Sequence, residues 1–131
     1  MKDTYHDNKA VQALAPAVVA AAVIGNAVDL SGFDSALFVI NTGAIVGAGD
    51  FGVKLQESDT TTDADFTDVA PADKLGALPA TLAANSAYRL GYIGSKRKRY
   101  VRAIVMKAGG TSIALGATVV LGHSAIAPVA A

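Results

Sequence analysis

The stretch Tyr88-Arg-Leu-Gly-Tyr-Ile-Gly-Ser-Lys-Arg-Lys-Arg-Tyr-Val-Arg-Ala-Ile-Val-Met106 carries the clearest fold signal in the chain. Its flanks, Tyr88–Ile93 and Tyr100–Met106, place apolar residues at alternate positions, which is typical of β-strands that bury one face. The connection between them is short and begins with a glycine, so the two strands are predicted to form a hairpin. This connection also carries four consecutive basic residues that a hairpin does not require: Lys96, Arg97, Lys98 and Arg99.

Further strands are predicted on both sides of this stretch. Ala36-Leu37-Phe38-Val39-Ile40 is apolar on both faces, as expected for a strand that is covered on both sides. One helical turn is predicted at Ala72–Leu75. Together with the hairpin, about eight strands separated by Gly, Asn and Asp turns indicate an all-β sandwich or barrel. The other predicted strands are Val18–Ile24, Ala27–Leu30, Ser35–Thr42, Phe51–Gln56, Phe66–Val69 and Ile113–Leu121.

The two ends of the chain are predicted to lie outside the β-sandwich domain, which spans residues 17–123. Residues 1–16 are interpreted as an extended arm that lies on another subunit, with a short N-terminal helix as the alternative. Residues 124–131 are interpreted as an apolar tail. The Ala/Val-rich run after residue 10 is shorter than the ~20 residues that a membrane span needs, and Pro16 interrupts it. No membrane association is predicted.

The composition points to a single domain that contacts partners. Of the 131 residues, 52% are hydrophobic and only 17% are charged. Such a chain either shares apolar surface with partners or is a monomer with an alanine-rich core.

The absence of cysteine excludes disulfides and thiolate metal sites, and it suits folding in a reducing cytoplasm. Eleven basic and eleven acidic residues cancel overall, but no acidic residue follows Asp73. Segregated charge favours patch-to-patch association over nucleic-acid wrapping.

Three patterns resemble catalytic or ligand sites, and none of them is convincing. Gly47-Ala48-Gly49-Asp50-Phe51-Gly52 has the G-x-G-x-x-G spacing of dinucleotide-binding loops, but the residues that follow alternate like a strand, without the helix that binds pyrophosphate. The acidic segment 57–68 lacks the residue order of a calcium loop. His6 and His123 have no nucleophile at a recognisable spacing. We therefore predict a non-enzymatic protein with no cofactor, no metal and no catalytic residues.

The basic residues Lys96, Arg97, Lys98 and Arg99 admit three interpretations. They could contact nucleic acid, although only Tyr92 and Tyr100 flank them as stacking aromatics. They could face a protein partner and pair with carboxylates, for instance those of the acidic segment in a neighbouring copy. They could also be a solvated loop tip. The partner-facing interpretation is favoured, and nucleic acid is not.

Two resemblances narrow the choice of fold and function. Val53–Ser58, Phe66–Val69 and Arg99–Val105 resemble the strand order of discoidin-like galactose-binding jelly rolls, although the usual aromatic turn residue is absent. This resemblance implies a jelly-roll-like β-sandwich. More of the chain resembles small structural proteins of tailed bacteriophages that are encoded near the major capsid protein. That similarity rests on Gly-Tyr-Ile-Gly at 91–94, Arg-Tyr-Val-Arg at 99–102 and Val-Val-Leu-Gly-His at 119–123.

The second resemblance implies a virion component, most directly a decoration (cement) protein on the outer capsid surface. Such a protein would be made in the host cytoplasm and would bind the major capsid protein as a homo-oligomer, with a trimer favoured. The alternatives are a tail-tube, neck or head-completion protein and, from a different class, a carbohydrate-binding module. The resemblance transfers no site residues.

Overall fold

Two long strands, Phe33–Val46 and Ser112–Ser124, pair antiparallel along most of their length. Every second residue of the first strand is buried between Ala36 and Thr42, so its alternation determines which face meets the core. The computed structural model describes residues 5–92 and 98–124. These residues form ten strands: β1 Lys9–Val19, β2 Val23–Ile24, β3 Val28–Asp29, β4 Phe33–Val46, β5 Asp50–Ser58, β6 Thr67–Asp68, β7 Lys74–Leu75, β8 Ala87–Tyr92, β9 Tyr100–Gly109 and β10 Ser112–Ser124.

The strands form two antiparallel sheets that pack against each other as a single-domain β-sandwich. Sheet A has the strand order β1-β10-β4-β8-β7. Sheet B has the order β2-β9-β5-β6, and β3 also pairs with β9. Short 3-10 helices at Asp63–Asp65 and Pro71–Asp73 are the only helices in the described residues. The prediction of an all-β sandwich is therefore confirmed, with two more strands than the eight expected.

The hydrophobic core fills the space between the two sheets. Its largest fully buried side chains include Tyr92 and Phe38 from sheet A and Phe51 and Leu55 from sheet B. Each comes from a strand whose alternate residues point inward, and β4 and β5 match the predicted strands Ser35–Thr42 and Phe51–Gln56. The G-x-G-x-x-G segment therefore runs directly into a strand, as predicted.

The predicted hairpin between Tyr88–Ile93 and Tyr100–Met106 is wrong. Residues 88–92 and 100–106 lie in strands, but β8 pairs with β4 and β7 in sheet A, whereas β9 pairs with β5, β2 and β3 in sheet B. The chain therefore crosses from one sheet to the other after Tyr92. Alternation identifies which face of each strand is buried, but it does not identify the strand's partner.

The predicted arm over residues 1–16 is also wrong for residues 9–16, which belong to β1. The Ala/Val-rich run pairs with β10 and buries Ala13 and Leu14 in the core. Pro16 is tolerated because β1 is an edge strand whose register shifts between Leu14 and Ala17. The predicted first strand Val18–Ile24 is divided between β1 and β2. Residues 1–4 and 125–131 lie outside the described residues, and Ser124 belongs to β10 rather than to a tail.

One smaller prediction also needs adjustment. The helical turn expected at Ala72–Leu75 is a 3-10 turn at Pro71–Asp73 followed by β7. Proline at the first position of that turn suits its start, because proline fixes φ and needs no amide donor there.

Two glycine-rich arches meet at one end of the sandwich. Residues 47–49 carry the chain from β4 to β5, and residues 110–111 carry it from β9 to β10. Gly47 and Gly110 have φ values of +70° and +84°. A Cβ added to Gly110 would lie 2.6 Å from the backbone nitrogen of Gly49 and still closer to its Cα. The arches therefore approach too closely for a side chain at this position.

Candidate functional site

The opposite end of the sandwich gathers the charged connections. The turn after β5, the turn after β3 and the start of β9 meet there, because Tyr100 pairs with both Ser58 and Asp29. The same end holds the start of β1, since Lys9 pairs with Leu121 near the end of β10. We call this region the charged end.

The described members of the basic run form ion pairs within the chain. Lys98 Nζ lies 3.2 Å from Asp59 Oδ2 in the acidic turn. Arg99 Nε and Nη2 donate to the two carboxylate oxygens of Asp29 at 3.1 and 3.0 Å. Lys96 and Arg97, the other two predicted partner-facing residues, lie outside the described residues. Lys98 and Arg99 therefore pair with carboxylates of their own chain, and the predicted contact of the basic run with a protein partner stays a prediction.

These ion pairs are on the surface. The Lys98 and Asp59 side chains are 44% and 66% exposed, and those of Arg99 and Asp29 are 55% and 44% exposed. The hydrogen bonds from Arg99 hold the pKa of Asp29 below its usual range, and the Ser31 backbone N–H adds to this effect. Exposed pairs contribute only about 0–1 kcal/mol each, so they can exchange partners easily.

Arg102 is a residue of this end that the sequence did not single out. Its side chain is only 7% exposed, although it projects from the outer face of sheet B. The guanidinium donates twice to Gln56 Oε1, at 3.1 and 2.9 Å, and once to Asp63 Oδ1 at 2.8 Å. It also lies over the Phe66 ring, 3.9 Å from the ring centroid. Arg102 therefore attaches the acidic turn to sheet B.

Two carboxylates of the acidic segment, those of Asp65 and Asp68, also form hydrogen bonds or ion pairs within the chain. Asp68 accepts from Gln56 at 3.1 Å and forms an ion pair of 3.1 Å with Lys54, and these two contacts lower its pKa. Asp65 accepts from the Thr60 hydroxyl at 2.6 Å. In the part of the chain that the structure describes, no group of three His, Cys, Asp or Glu residues could hold a metal ion.

A buried hydrogen bond below the charged end connects the two sheets. The Tyr92 hydroxyl of sheet A donates to Glu57 Oε1 of sheet B at 2.6 Å, and it accepts from the Lys98 backbone N–H at 3.0 Å. Tyr92 is completely buried and Glu57 is 9% exposed. Burial, followed by the bond to Glu57, raises the pKa of Tyr92. This contact joins the predicted basic connection to the core.

The sequence contained only a partial signal for these contacts. Arg102 occupies an outward position of a strand, and Gln56 occupies an outward position of its neighbour, but the pairing of β9 with β5 was not predictable. Glu57 looked like part of a solvated acidic segment. Its burial follows from its place opposite Val101 near the end of β5.

Replacing Arg102 with methionine is expected to lower the free energy of unfolding by about 1–3 kcal/mol. The methionine keeps most of the apolar stem, but Gln56 and Asp63 lose their charged donor. Lysine at the same position should recover only part of the loss, because it cannot reproduce the planar fork. Urea unfolding measures the difference. The matched control is Arg89→Met, an exposed strand position expected to change stability by less than about 0.5 kcal/mol. Equal losses at both positions would contradict the role of Arg102.

No family model matches the chain, and no curated protein matches it. Across residues 5–92 and 98–124, the structure contains no helix long and apolar enough to cross a membrane.

Proposed function

We propose that the chain is a structural subunit of a tailed-bacteriophage virion, and that it decorates the outer surface of the capsid through its charged end. The observation that carries this proposal is the collection of acidic and basic residues at one end of the sandwich. The resemblance of residues 91–94, 99–102 and 119–123 to small phage structural proteins supports it from the sequence.

We also propose that the sandwich is a jelly roll. The chain passes repeatedly from one sheet to the other, so that sheet A receives β1, β4, β7, β8 and β10 and sheet B receives β2, β5, β6 and β9. Two interlocked Greek keys produce this alternation between facing sheets. The strand order supports the jelly-roll fold that the resemblance to discoidin-like domains implies.

The ion pairs of the charged end suit reversible attachment to a protein. Lys98, Arg99 and Arg102 each have a carboxylate partner, so phosphate groups would have to compete with those carboxylates. A capsid surface that presents its own carboxylates and cations could exchange partners with the exposed pairs at little energetic cost. Many weak contacts of this kind become collectively strong on a surface with many equivalent sites.

The stoichiometry of the protein in purified virions tests its position. We expect a copy number comparable to that of the major capsid protein, as quantitative mass spectrometry of intact particles would measure. A copy number that fits only one small ring would overturn the proposal in favour of a neck or tail-tube protein. Retention on a glycan column, together with absence from particles, would favour the carbohydrate-binding alternative.

A charge-neutralising variant tests the binding end. Arg99→Gln should weaken binding to capsids that lack the protein by about tenfold or more, because it removes a charge from the charged end. The control is Lys107→Gln, which makes the same charge change on the exposed surface at the opposite end of β9. Added salt should weaken binding of the unmodified chain, since exposed charges are screened beyond about 8–10 Å. Equal binding by the two variants would contradict attachment through the charged end.

A further inference from the structure

The outer face of sheet A is open to solvent and carries mostly apolar and small side chains, with a few uncharged polar ones such as Gln12, Asn41 and Thr118. Leu37 and Val39 point outward between the buried residues of β4, and Val120 lies opposite Leu37 on β10. Val18 on β1 and Leu75 on β7 are 72% and 57% exposed. Arg89 is the charged residue among the outward positions of β1, β10, β4, β8 and β7. It lies close to the β7 edge of the sheet.

Sheet B shows the contrasting pattern. Its outward positions on β5 and β9 include Lys54, Gln56 and Arg102, which form the polar network with Asp63 and Asp68. An antiparallel sheet with one solvated face normally alternates apolar residues inside with polar residues outside. Sheet B follows this rule along β5 and β6, whereas Ile24, Ile104 and Met106 form a short apolar strip on its outer face near β2. Sheet A resembles a sheet that is covered on both faces, although in the described residues only its inner face is covered.

We propose that a second copy of the chain covers the outer face of sheet A, so that two sandwiches stack through this sheet. This inference is independent of the attachment to capsids, because it concerns the purified chain alone. A stack related by a two-fold axis uses the same face on both subunits, and it closes at two copies.

The area of the face fits such an interface. The central strands β4 and β10 are 14 and 13 residues long. Because β1, β10, β4 and β8 have 11, 13, 14 and 6 residues, a strand spacing of about 4.8 Å and a rise of about 3.3 Å per residue give a face of roughly 700 Å². A stable interface buries about 800 Å² per partner, and obligate homodimers use their most apolar surfaces.

The distribution of charge and shape favours a copy over a different partner. Because the centre of the face carries no charge, two identical faces can meet there without like-charge repulsion. A charged partner, in contrast, would find no counter-charge. Small residues make the face shallow, and a groove of about 710 Å³ runs over Ala114 and Gly116 between Val18 and Val39. The exposed Val18 of one copy can enter this groove in the other.

The mass of the chain in solution tests the proposal. We expect sedimentation equilibrium to give twice the 13.2 kDa chain mass. Thr118 is exposed on β10 at the centre of the face, so Thr118→Lys should bring two like charges together and weaken dimerisation at least 100-fold. The matched control, Thr67→Lys on an exposed edge strand of sheet B, should remain dimeric. A monomeric wild type, a trimer that Thr118→Lys leaves intact, or a folded Thr118→Lys dimer would each overturn the proposal.

A second measurement serves if Thr118→Lys fails to fold. The chain has no cysteine, so Thr118→Cys and Thr67→Cys can each carry one spin label. Stacked sheets lie about 10 Å apart, so labels at position 118 should be close to each other across the dimer. Labels at position 67 should be roughly 30 Å apart or more, because a further sheet layer separates each of them from the interface. The reverse order of distances, or no intermolecular distance at position 118, would contradict the stack.

Discussion

Gly110→Ala is expected to lower the free energy of unfolding by about 2–5 kcal/mol. Two penalties add. The residue has φ +84°, a left-handed conformation that costs about 1–2 kcal/mol for a residue with a Cβ. The new methyl group would also collide with the backbone of Gly49 in the facing arch, and overpacking of this kind costs about 1–3 kcal/mol.

Alanine substitutions at two other glycines measure the conformational penalty and the steric penalty separately. Gly32 has φ +89° with nothing within 4 Å of an added Cβ, so Gly32→Ala should lose only the conformational part, about 1–2 kcal/mol. Gly109 also has open space around an added Cβ and is not in the left-handed region, so Gly109→Ala should change stability by less than about 0.5 kcal/mol. Urea unfolding measures all three variants. If Gly110→Ala were no worse than Gly32→Ala, the arches would not meet as described.

Tyr92→Phe is expected to lower the free energy of unfolding by about 2–3 kcal/mol at neutral pH. The substitution preserves the ring in the core but leaves the Glu57 carboxyl without its hydroxyl donor and the Lys98 N–H without its acceptor. The control is Tyr88→Phe, which removes a hydroxyl that accepts one hydrogen bond from the Ala83 N–H at 2.9 Å in a more exposed setting. That variant should lose about 1 kcal/mol or less. Equal losses for the two variants would show that the hydrogen bonds of Tyr92 contribute no more to stability than the more exposed hydrogen bond of Tyr88.

The raised pKa of Tyr92 predicts that the free energy of unfolding decreases at alkaline pH. An unfolded tyrosine releases its proton near pH 10, whereas Tyr92 retains its proton to higher pH because its pKa is raised. Above about pH 10 the unfolded state therefore binds fewer protons than the folded state, and stability falls with rising pH by up to about 1.4 kcal/mol per unit. Tyr92→Phe should remove this part of the slope. Urea unfolding of both proteins between about pH 9 and 11.5 provides the comparison, and parallel curves would contradict it.

The sequence predicted strands better than it predicted their partners. The alternation in β4, β5 and β9 reports which face of each strand is buried, a local property, and those strands were located correctly. The pairing of β8 and β9 with different sheets depends on contacts far apart in sequence, which alternation does not encode. In β1, the run that resembled a free arm supplies Ala13 and Leu14 to the core, and Pro16 concealed this because prolines interrupt strands everywhere except at sheet edges.

The charged end was predicted in composition but not in geometry. Four basic residues in one connection were predicted to face a protein partner, which stays a prediction, and Lys98 and Arg99 form ion pairs within the chain. The partner of Arg99, Asp29, is 70 residues away along the chain, so only the fold could identify it. Arg102 and Glu57 were overlooked because charged residues are usually exposed, and their burial depends on neighbours that the sequence does not specify.

The position of β10 constrains the order in which the protein can be assembled on the ribosome. This strand is the last of those described, yet it lies between β1, the first, and β4. While residues 112–124 are still unsynthesised or inside the exit tunnel, the emerging chain has a gap in the middle of sheet A, and both strands that border this gap have unpaired backbone groups. Sheet A therefore cannot be completed until β10 has been synthesised. Until then, β1 and β4 of a nascent chain have unpaired edges that can pair with strands of neighbouring chains.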